Sequence, residues 1–325
     1  MVVSATPSAG SAAREGASRL VPVIVGPTSS GKTAVALAIA DLLPVEIISA
    51  DSRQVYRYLD IGTAKPSAAE RARVPHHFID IIDPDEEFSA GRFGDEGRRV
   101  IDEVFARGRT PVIVGGSGLY IKSLVDGLFE GPGADPEFRD ALQARLDRGE
   151  LGALVEELHR VDPEAARRID PTKPRRVVRA LEVHHVTGRP LSDLQTEQKI
   201  RIDFEALFFG LKWERQELYD RINRRCDAML SSGLVDEAAA LERRGFSRSL
   251  NALNTVGYKE AFAFLHGEIA REEMLSQFSQ NSRRYAKRQM TWFRRDARVR
   301  WLQMGEEFSA NELAEVIARE CVSPA

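Results

Sequence analysis

Cysteine is scarce in this chain, which has two cysteines, Cys226 and Cys321, among 325 residues. So few cysteines exclude a disulfide-rich scaffold and a cysteine-based zinc module, and they fit a reducing compartment. No apolar run approaches the roughly 18–20 residues needed to cross a bilayer, so we expect no membrane partner. The first twenty residues lack the apolar core of a signal peptide. We therefore expect a flexible leader over 1–20 and a cytoplasmic protein.

The chain also lacks a large net charge, because 46 Lys and Arg oppose 49 Asp and Glu, giving −3. Binding to a polyanion therefore cannot rest on overall charge. Hydrophobic residues make up 43% of the chain, an ordinary value for a globular protein, which excludes a wholly disordered or collagen-like chain. At roughly 100–200 residues per domain, the length predicts about two domains.

Strands and helices alternate in the N-terminal part of the chain. Helical patterns cover 33–43 and 91–107, and short apolar runs that predict strands lie at 21–25, 45–50, 77–82 and 111–115. This alternation predicts a parallel sheet with right-handed crossovers. Further strand-like runs occur at 204–211 and 299–302.

A helical region interrupts this pattern. Asp135-Pro136 is typical of a helix start, Gly149 and Gly188 are typical of helix ends, and the strand pattern then returns at residue 204. The predicted fold class is α/β, with a parallel sheet core like that of the P-loop NTPases and a helical insertion domain. The predicted core covers 21–129 and 196–325 with C-terminal helices, and the predicted insertion covers 130–195.

A phosphate-binding loop lies between the first strand and the first helix. It reads Gly26-Pro27-Thr28-Ser29-Ser30-Gly31-Lys32-Thr33 and fits the pattern G-x-x-x-x-G-K-[ST]. Its glycines let backbone N–H groups face a phosphate at a helix N-terminus, Lys32 neutralises the terminal phosphate, and the Thr33 hydroxyl holds Mg²⁺. The loop does not identify the ligand, because a nucleoside triphosphate and any other diphosphate present the same geometry.

Asp51 ends the second strand, so it should face the same crevice as Lys32, since ligands of open parallel sheets sit at the carboxyl ends of the strands. A carboxylate there can hold Mg²⁺ through water or accept a proton from a nucleophile. The alternative is a turn or helix-capping aspartate.

Several segments together resemble one enzyme family, over about Val21 to Trp301. They are the phosphate loop, Ile48-Ser-Ala-Asp-Ser-Arg-Gln-Val-Tyr56, Leu59-Asp-Ile-Gly-Thr-Ala-Lys-Pro66, Pro75-His-His-Phe-Ile-Asp80, Val114-Gly-Gly-Ser-Gly-Leu-Tyr120, Arg175-Arg-Val-Val-Arg-Ala-Leu-Glu182, Val256-Gly-Tyr258 and Ala286-Lys-Arg-Gln-Met-Thr-Trp292. The chain thus resembles the tRNA dimethylallyltransferases, also called tRNA isopentenyltransferases, in their bacterial form without a C-terminal zinc finger.

The resemblance implies transfer of a dimethylallyl group from dimethylallyl diphosphate to N6 of adenosine 37, beside the tRNA anticodon. It implies that the phosphate loop binds the prenyl diphosphate with Mg²⁺, that Asp51 accepts the amine proton, and that Thr28 and Arg225 contact the substrate. It also implies contacts to tRNA from Asp51, Ser52, Arg53, Gln54, Ser117, Arg139, Arg175, Arg176, Val177, Val178 and Arg179. We expect the protein to act as a monomer.

A basic run near the C-terminus offers a second tRNA contact. Nine Lys and Arg against three acids lie within 271–300, and Arg284, Lys287 and Arg288 share one helical face. Such a face can follow the phosphates of an anticodon stem, or it can be an ordinary solvated surface. Phe278, Tyr285 and Trp292, seven residues apart, are expected to pack on the core.

Two other functions fit part of the sequence. A P-loop kinase of a small metabolite would share the loop, Mg²⁺ and an arginine-bearing lid, and could use Asp51. A nucleotide-switched RNA-binding protein would need RNA affinity that depends on nucleotide. The segment Asp60–Pro66 counts against the kinase, and the sequence has no guanine-reading Asn/Thr-Lys-x-Asp motif.

Overall fold

A computed structural model of the chain describes residues 19–128, 131, 135–197, 202–305 and 309–322. The predicted leader falls mostly outside the described residues, and Leu20 already belongs to the first strand. The elements before the insertion are β1 (Leu20–Val25), α1 (Lys32–Leu42), β2 (Val45–Ala50), α2 (Ala68–Arg73), β3 (His76–His77), α3 (Ala90–Ala106), β4 (Thr110–Gly115) and α4 (Gly118–Asp126).

Helices alone follow, and the sheet resumes after them. The helices are α5 (Pro136–Asp147), α6 (Leu151–Val161), α7 (Pro163–Arg168), α8 (Pro174–Thr187) and α9 (Leu191–Glu197). The remaining elements are β5 (Glu205–Lys212), α10 (Arg215–Ser231), α11 (Leu234–Arg243), α12 (Tyr258–Leu265), α13 (Arg271–Phe293), β6 (Arg300–Gln303) and α14 (Ala310–Val322). None of the described helices is long and apolar enough to span a membrane.

The six strands form one parallel sheet in the order β3-β2-β4-β1-β5-β6. Strand β1 is buried along its whole length, as its β-branched sequence predicts for a central parallel strand. The predicted α/β class and five of the six predicted strands are confirmed. Since β1, β2 and β4 are neighbours, the loops after their carboxyl ends meet at one edge of the sheet.

The strand predicted over 77–82 is wrong beyond its first residue. Only His76 and His77 pair with β2. Phe78 and Asp80 then adopt left-handed backbone angles, with φ of 64° and 58°, which a strand cannot accommodate. Phe78 and Ile82 are buried as part of a turn, in which the Asp80 carboxylate accepts hydrogen bonds from Lys65 and Arg71.

Each face of the sheet is covered by a separate hydrophobic cluster. On one face Phe93, Leu124 and Phe278 pack with residues of α10 to α12. On the other, Ile39 of α1 packs with Ile317 of α14. The sheet is therefore the middle layer of three, and the helices after the insertion complete both outer layers.

The helices α5 to α9 have a hydrophobic core of their own, which includes Leu142, Leu154 and Leu181. The predicted N-cap is confirmed, because the Asp135 carboxylate accepts a hydrogen bond from the N–H of Phe138 at 3.0 Å. We propose that these helices are the insertion domain. The predicted edge at residue 195 falls inside α9, so the helical unit extends to residue 197, and the predicted edge at residue 130 lies outside the described residues.

Candidate active site

The phosphate loop connects β1 to α1 as its sequence predicts. Gly31 is the N-cap of α1 with φ of 94°, a conformation that favours glycine and turns the loop into the helix. Lys32 Nζ donates hydrogen bonds to the carbonyl oxygens of Gly26 and Pro27, at 3.0 and 2.8 Å. These contacts hold the ammonium group across the loop.

The ammonium group of Lys32 is buried in this loop beside a second cation, Arg225. Burial, together with the neighbouring positive charge of Arg225, lowers the pKa of its ammonium to about 7, while Asp51 acts in the opposite direction. An anion bound at the loop favours the charged form of the lysine. Binding of a phosphate group should therefore be coupled to proton uptake when the pH exceeds the pKa.

We expect the affinity of the protein for inorganic diphosphate to fall as the pH rises from 7 to 9. Lys32 is then neutral before binding, and each pH unit above its pKa costs about 1.4 kcal/mol to protonate it, or about ten-fold in affinity. Titration calorimetry in buffers of different ionisation enthalpy measures the proton uptake directly. Lys32→Met should bind weakly with no such pH dependence, and an equal slope in that variant would assign the effect to another group.

Helix α10 places two arginines against the loop. Arg225 Nη1 donates a hydrogen bond to Thr28 Oγ1 at 3.0 Å, and Arg221 Nε donates to the carbonyl of Ser29 at 2.9 Å. The two are four residues apart and so lie on one face of the helix. Trp213 supports this arrangement, since its ring stacks on Arg221 and its Nε1–H donates to the carbonyl of Ser30 at 3.0 Å.

Asp51 lies at the carboxyl end of β2, facing the loop. Its Oδ1 accepts a hydrogen bond from the N–H of Arg53 at 2.8 Å, so it has the turn role considered from sequence. It also borders the cavity beside Thr28 and Arg225, and its charge acts on both Lys32 and Arg225. The turn role and the functional role are therefore compatible, since the turn fixes the carboxylate in the crevice.

The central cavity has one polar side and one apolar side. Its volume is about 250 Å³. Asp51, Arg53 and Arg225 belong to its polar side, and its apolar wall consists of Ile222, Cys226, Met229, Val256 and Phe278. A smaller cavity of about 90 Å³, bordered by Lys32 and Thr33, shares Thr28, Asp51 and Arg225 with it. The site can therefore hold an anion and an apolar group in adjacent compartments.

Two side chains that the sequence analysis missed fix the shape of this site. Gln289 is buried; its Oε1 accepts from the N–H of Thr28 at 2.8 Å and its Nε2 donates to the carbonyl of Gly116 at 3.1 Å. Glu237 accepts hydrogen bonds from the N–H groups of Ile61, at 2.9 Å, and Gly62, at 3.1 Å. Gln289 lies within the Ala286–Trp292 segment, but nothing in that segment assigns it a contact, and Glu237 is one of several acids in its helix.

Glu237 also explains a conformational requirement of the Asp60–Pro66 segment. Its Oε1 accepts a hydrogen bond from the hydroxyl of Tyr258, whose ring packs against Gly62. A Cβ atom at Gly62 would lie 2.4 Å from that ring, so this position has no room for a side chain. Lys65 is buried in the same segment and donates to the carbonyl of Tyr56 at 2.9 Å.

The predicted tRNA contacts at the sheet edge lie close together. The Ser52 N–H donates to Ser117 Oγ at 3.0 Å, which joins the ends of β2 and β4. Arg53 Nη1 donates to the carbonyl of Asn251 at 2.8 Å, and the Gln54 amide donates to the carbonyl of Thr63 at 3.2 Å. Ser52 and Arg53 border the central cavity, and Gln54 borders the smaller one.

The predicted tRNA contacts in the insertion differ in their burial and in their ion pairs. Arg139 and Arg179 both bind the buried carboxylate of Glu182, at 2.9 and 2.8 Å, and lower its pKa against the opposing effect of burial. Val177 is fully buried in the helical core, so its side chain cannot contact RNA. The remaining predicted contacts there are the half-buried Val178 and the exposed Arg175 and Arg176.

On α13 the basic face is exposed at Arg284, Lys287 and Arg288, and Arg288 also borders the central cavity. The expected apolar stripe is only partly confirmed. Phe278 is buried, but 39% of Trp292 is exposed, so the prediction that it packs on the core is wrong.

Comparisons with known proteins converge on one family. The family model described as IPP transferase matches residues 54–296. A tRNA dimethylallyltransferase 1 of Pelobacter propionicus is 44% identical, over 93% of this chain and 96% of the relative. A tRNA dimethylallyltransferase of Geobacter sulfurreducens is also 44% identical, over 89% of this chain and 93% of the relative.

Solved structures show the same likeness. A full-length tRNA isopentenylpyrophosphate transferase from Bacillus halodurans is 42% identical, with a TM-score of 0.68, and the match covers 94% of this chain and 97% of that one. A eukaryotic dimethylallyltransferase described as acting on tRNA is 27% identical, with a TM-score of 0.81, and the match covers 94% and 80%.

Proposed function

The chain belongs to the IPP transferase family, and on this basis we propose that it transfers a dimethylallyl group from dimethylallyl diphosphate to N6 of adenosine 37 in tRNA. The observation that supports this best is the central cavity, where an apolar wall adjoins a phosphate loop and a carboxylate. A kinase of a polar metabolite needs the loop and the carboxylate but has no use for the apolar wall.

The phosphate loop and α10 would bind the diphosphate and stabilise it as it leaves. The bond between C1 of the prenyl group and the diphosphate oxygen breaks, and negative charge collects on the diphosphate. Lys32 and Arg225 lie beside that position, and preorganised cations lower the barrier most where charge develops. The apolar wall would hold the dimethylallyl group and exclude water from it.

Asp51 would act as the base for the incoming amine. The lone pair of N6 is delocalised into the adenine ring, so the amine is a poor nucleophile until its proton can leave. As the bond between N6 and C1 forms, the Asp51 carboxylate accepts that proton. The hydrogen bond from the N–H of Arg53 orients the carboxylate for this step.

The oxygen donors of the site fit Mg²⁺. The Thr33 hydroxyl stands in the first turn of α1, and Asp51 faces the same small cavity. No three His, Cys, Asp or Glu side chains are grouped for metal binding within the part of the chain that the structure describes. That fits an ion usually held by one or two protein oxygens, substrate phosphates and water. When bound, Mg²⁺ would neutralise charge on the diphosphate.

The partner would be a tRNA whose anticodon loop presents an unpaired adenosine. An unpaired base can leave its stack and enter the cavity at lower cost than a paired base. Arg53 and Arg288 border the entrance, and the exposed Arg284 and Lys287 lie on the same helix as Arg288. We propose that the protein acts as a monomer.

A paired incubation tests the function. Unmodified tRNA and Mg²⁺ are mixed with labelled dimethylallyl diphosphate in one tube and with γ-labelled ATP in another. We expect label to enter tRNA from the prenyl donor only. Release of label from ATP, with none entering tRNA from the donor, would replace this proposal with the kinase.

Met229 should limit the length of the prenyl donor. It is 8% exposed and borders both the central cavity and an outer groove, whose lining includes apolar residues such as Ile61 and Pro66 and charged ones such as Asp60 and Arg71. We expect Met229→Ala to join the two spaces and raise kcat/KM for geranyl diphosphate, relative to dimethylallyl diphosphate, by at least about ten-fold, since each buried CH₂ contributes about 0.8 kcal/mol.

Steady-state kinetics with both donors measure this ratio. Met274→Ala is the control, because Met274 is also buried, on α13, but borders neither space. An unchanged ratio in a folded Met229→Ala protein would place the end of the prenyl site elsewhere.

A further inference from the structure

Trp292 borders a groove that none of the steps above uses. The Trp292 groove is formed by Gly118, Lys122, Arg176, Trp292, Arg295 and Arg298, and its volume is about 420 Å³. It therefore lies where α4 and the end of α13 meet helix α8 of the insertion. Tryptophan is enriched at interfaces, so its exposure beside a groove of this size makes the groove a candidate binding surface.

The indole of Trp292 packs directly against the backbone at Gly118. A Cβ atom at Gly118 would lie 2.2 Å from both Cδ1 and Nε1 of Trp292, so the pyrrole edge rests directly against the glycine. The absence of a side chain at Gly118 permits this approach. A ring fixed along one edge, with 39% of the residue exposed, is a preorganised flat surface.

The charges around the ring suit a polyanion. Lys122, Arg176 and Arg295 are exposed. The acids of the groove, Asp126 and Asp296, both bind Arg298, at 2.6 and 2.7 Å. The groove thus has more positive than negative charges, with its acids already paired. Phosphates next to an aromatic ring would meet opposite charge there.

Helix α13 borders both the Trp292 groove and the central cavity. Tyr285, which lines that cavity, is seven residues before Trp292 on α13, a rise of about 10 Å along the same helical face. Gly118 directly follows Ser117, whose hydroxyl accepts the N–H of Ser52 at the cavity entrance. A nucleotide near the one in the cavity can reach Trp292, whereas the far end of an anticodon stem is much more distant.

We propose that Trp292 is a stacking platform for an unpaired base that flanks the target adenosine, with Lys122, Arg176 and Arg295 contacting its phosphates. The inference rests on the proposed function, since it takes the RNA that enters the central cavity as the occupant of the groove. Stacking of a flanking base would hold the loop open while the target base is extruded, and it would tolerate different bases because every base has an aromatic face.

Tryptophan fluorescence tests the platform directly. A synthetic anticodon stem-loop with adenosine at position 37 is titrated into the full-length protein and into Trp292→Phe and Trp301→Phe. Stacking on RNA quenches an indole, so we expect a large quench in the wild type and in Trp301→Phe. Most of it should be lost in Trp292→Phe. Trp301 is the matched control because it packs against Gly210 on the edge strand, away from the groove.

The affinity for the stem-loop distinguishes stacking of a base on Trp292 from a role of the ring in packing against Gly118 alone. We expect Trp292→Leu to raise the Kd for the stem-loop about ten-fold, and Trp292→Phe to leave it within about three-fold of wild type. The Kd for dimethylallyl diphosphate should not change in either variant. Leucine covers Gly118 but offers no flat ring, so a wild-type Kd in Trp292→Leu would overturn the platform.

The outcomes also distinguish this inference from the proposed function. The wild type could transfer the prenyl group to the stem-loop while the substitutions of Trp292 change neither the quench nor the Kd. That result would overturn the platform but leave the proposed function intact. Absence of both transfer and stem-loop binding in the wild type would overturn the proposed function and the platform with it. A quench confined to Trp292 together with normal transfer supports both.

Discussion

Asp51→Asn is expected to lower the rate of prenyl transfer at saturating substrates by about 10²–10⁴-fold, the usual contribution of a general base. Asparagine keeps an oxygen for the N–H of Arg53, so the turn at the end of β2 is retained. The amide cannot accept the N6 proton at neutral pH. Single-turnover transfer of labelled dimethylallyl groups to tRNA measures the rate.

Binding of the donor decides whether Asp51 is a base. We expect the Kd for dimethylallyl diphosphate in Asp51→Asn to stay within about three-fold of wild type, because the phosphate loop is intact. Asp41→Asn is the matched control, since Asp41 is an exposed residue at the end of α1 that pairs with Arg73. A loss of donor binding as large as that of Lys32→Ala would contradict the assignment and make Asp51 chiefly a binding residue.

Arg225→Ala is expected to lower kcat by about 10²–10³-fold, the range found when one preorganised partner of a developing negative charge is removed. The arginine donates to Thr28 and lies against the loop, so its loss leaves the departing diphosphate less stabilised. Arg225→Lys should recover only part of the rate, because an ammonium group lacks the planar fork of donors. Arg243→Ala is the control, because Arg243 is exposed at the end of α11 and borders none of the cavities around the phosphate loop, so this change should alter kcat little.

Arg225→Ala should also shift the pH dependence of diphosphate binding. Arg225 is one of the charges that lower the pKa of Lys32, so its removal raises that pKa. Lys32 then stays protonated to higher pH, and the decline in affinity should begin above pH 7 rather than near it. Calorimetry at several pH values measures the shift. A decline at the wild-type pH would mean that Arg225 does not contribute to the lowered pKa of Lys32.

The sequence was most informative where one short segment forms the structure by itself. The phosphate loop needs a strand, two glycines and the first turn of a helix, all within Val21–Leu43, and the position of Asp51 follows from the rule for parallel strands. It was least informative for contacts between distant segments. Glu237 binds Ile61 and Gly62 across about 175 residues, and no local periodicity marks such a pair.

The structure differs from the sequence-based predictions at two further places, and ion pairs explain both. The segment 77–82 has a strand-like composition, but ion pairs at Asp80 favour a turn over continued pairing with β2. Arg139 and Arg179, expected to meet tRNA, bind the buried carboxylate of Glu182, a partner on α8 that the sequence did not suggest for them. A contact of either arginine with RNA stays a prediction and would have to be made with the guanidinium already anchored to a carboxylate.

The order in which the site is assembled follows from where its parts lie in the chain. The phosphate loop is synthesised early, but Arg225, Glu237 and Gln289, which anchor its surroundings, come about 190 to 260 residues later, after the insertion. Because domains fold roughly as they leave the ribosome, the emerging N-terminal half has a loop without its opposing cations and a sheet without β5 and β6. A prematurely terminated chain would therefore be unable to capture the prenyl donor, and translation must pass Gln289 before the protein can compete for it.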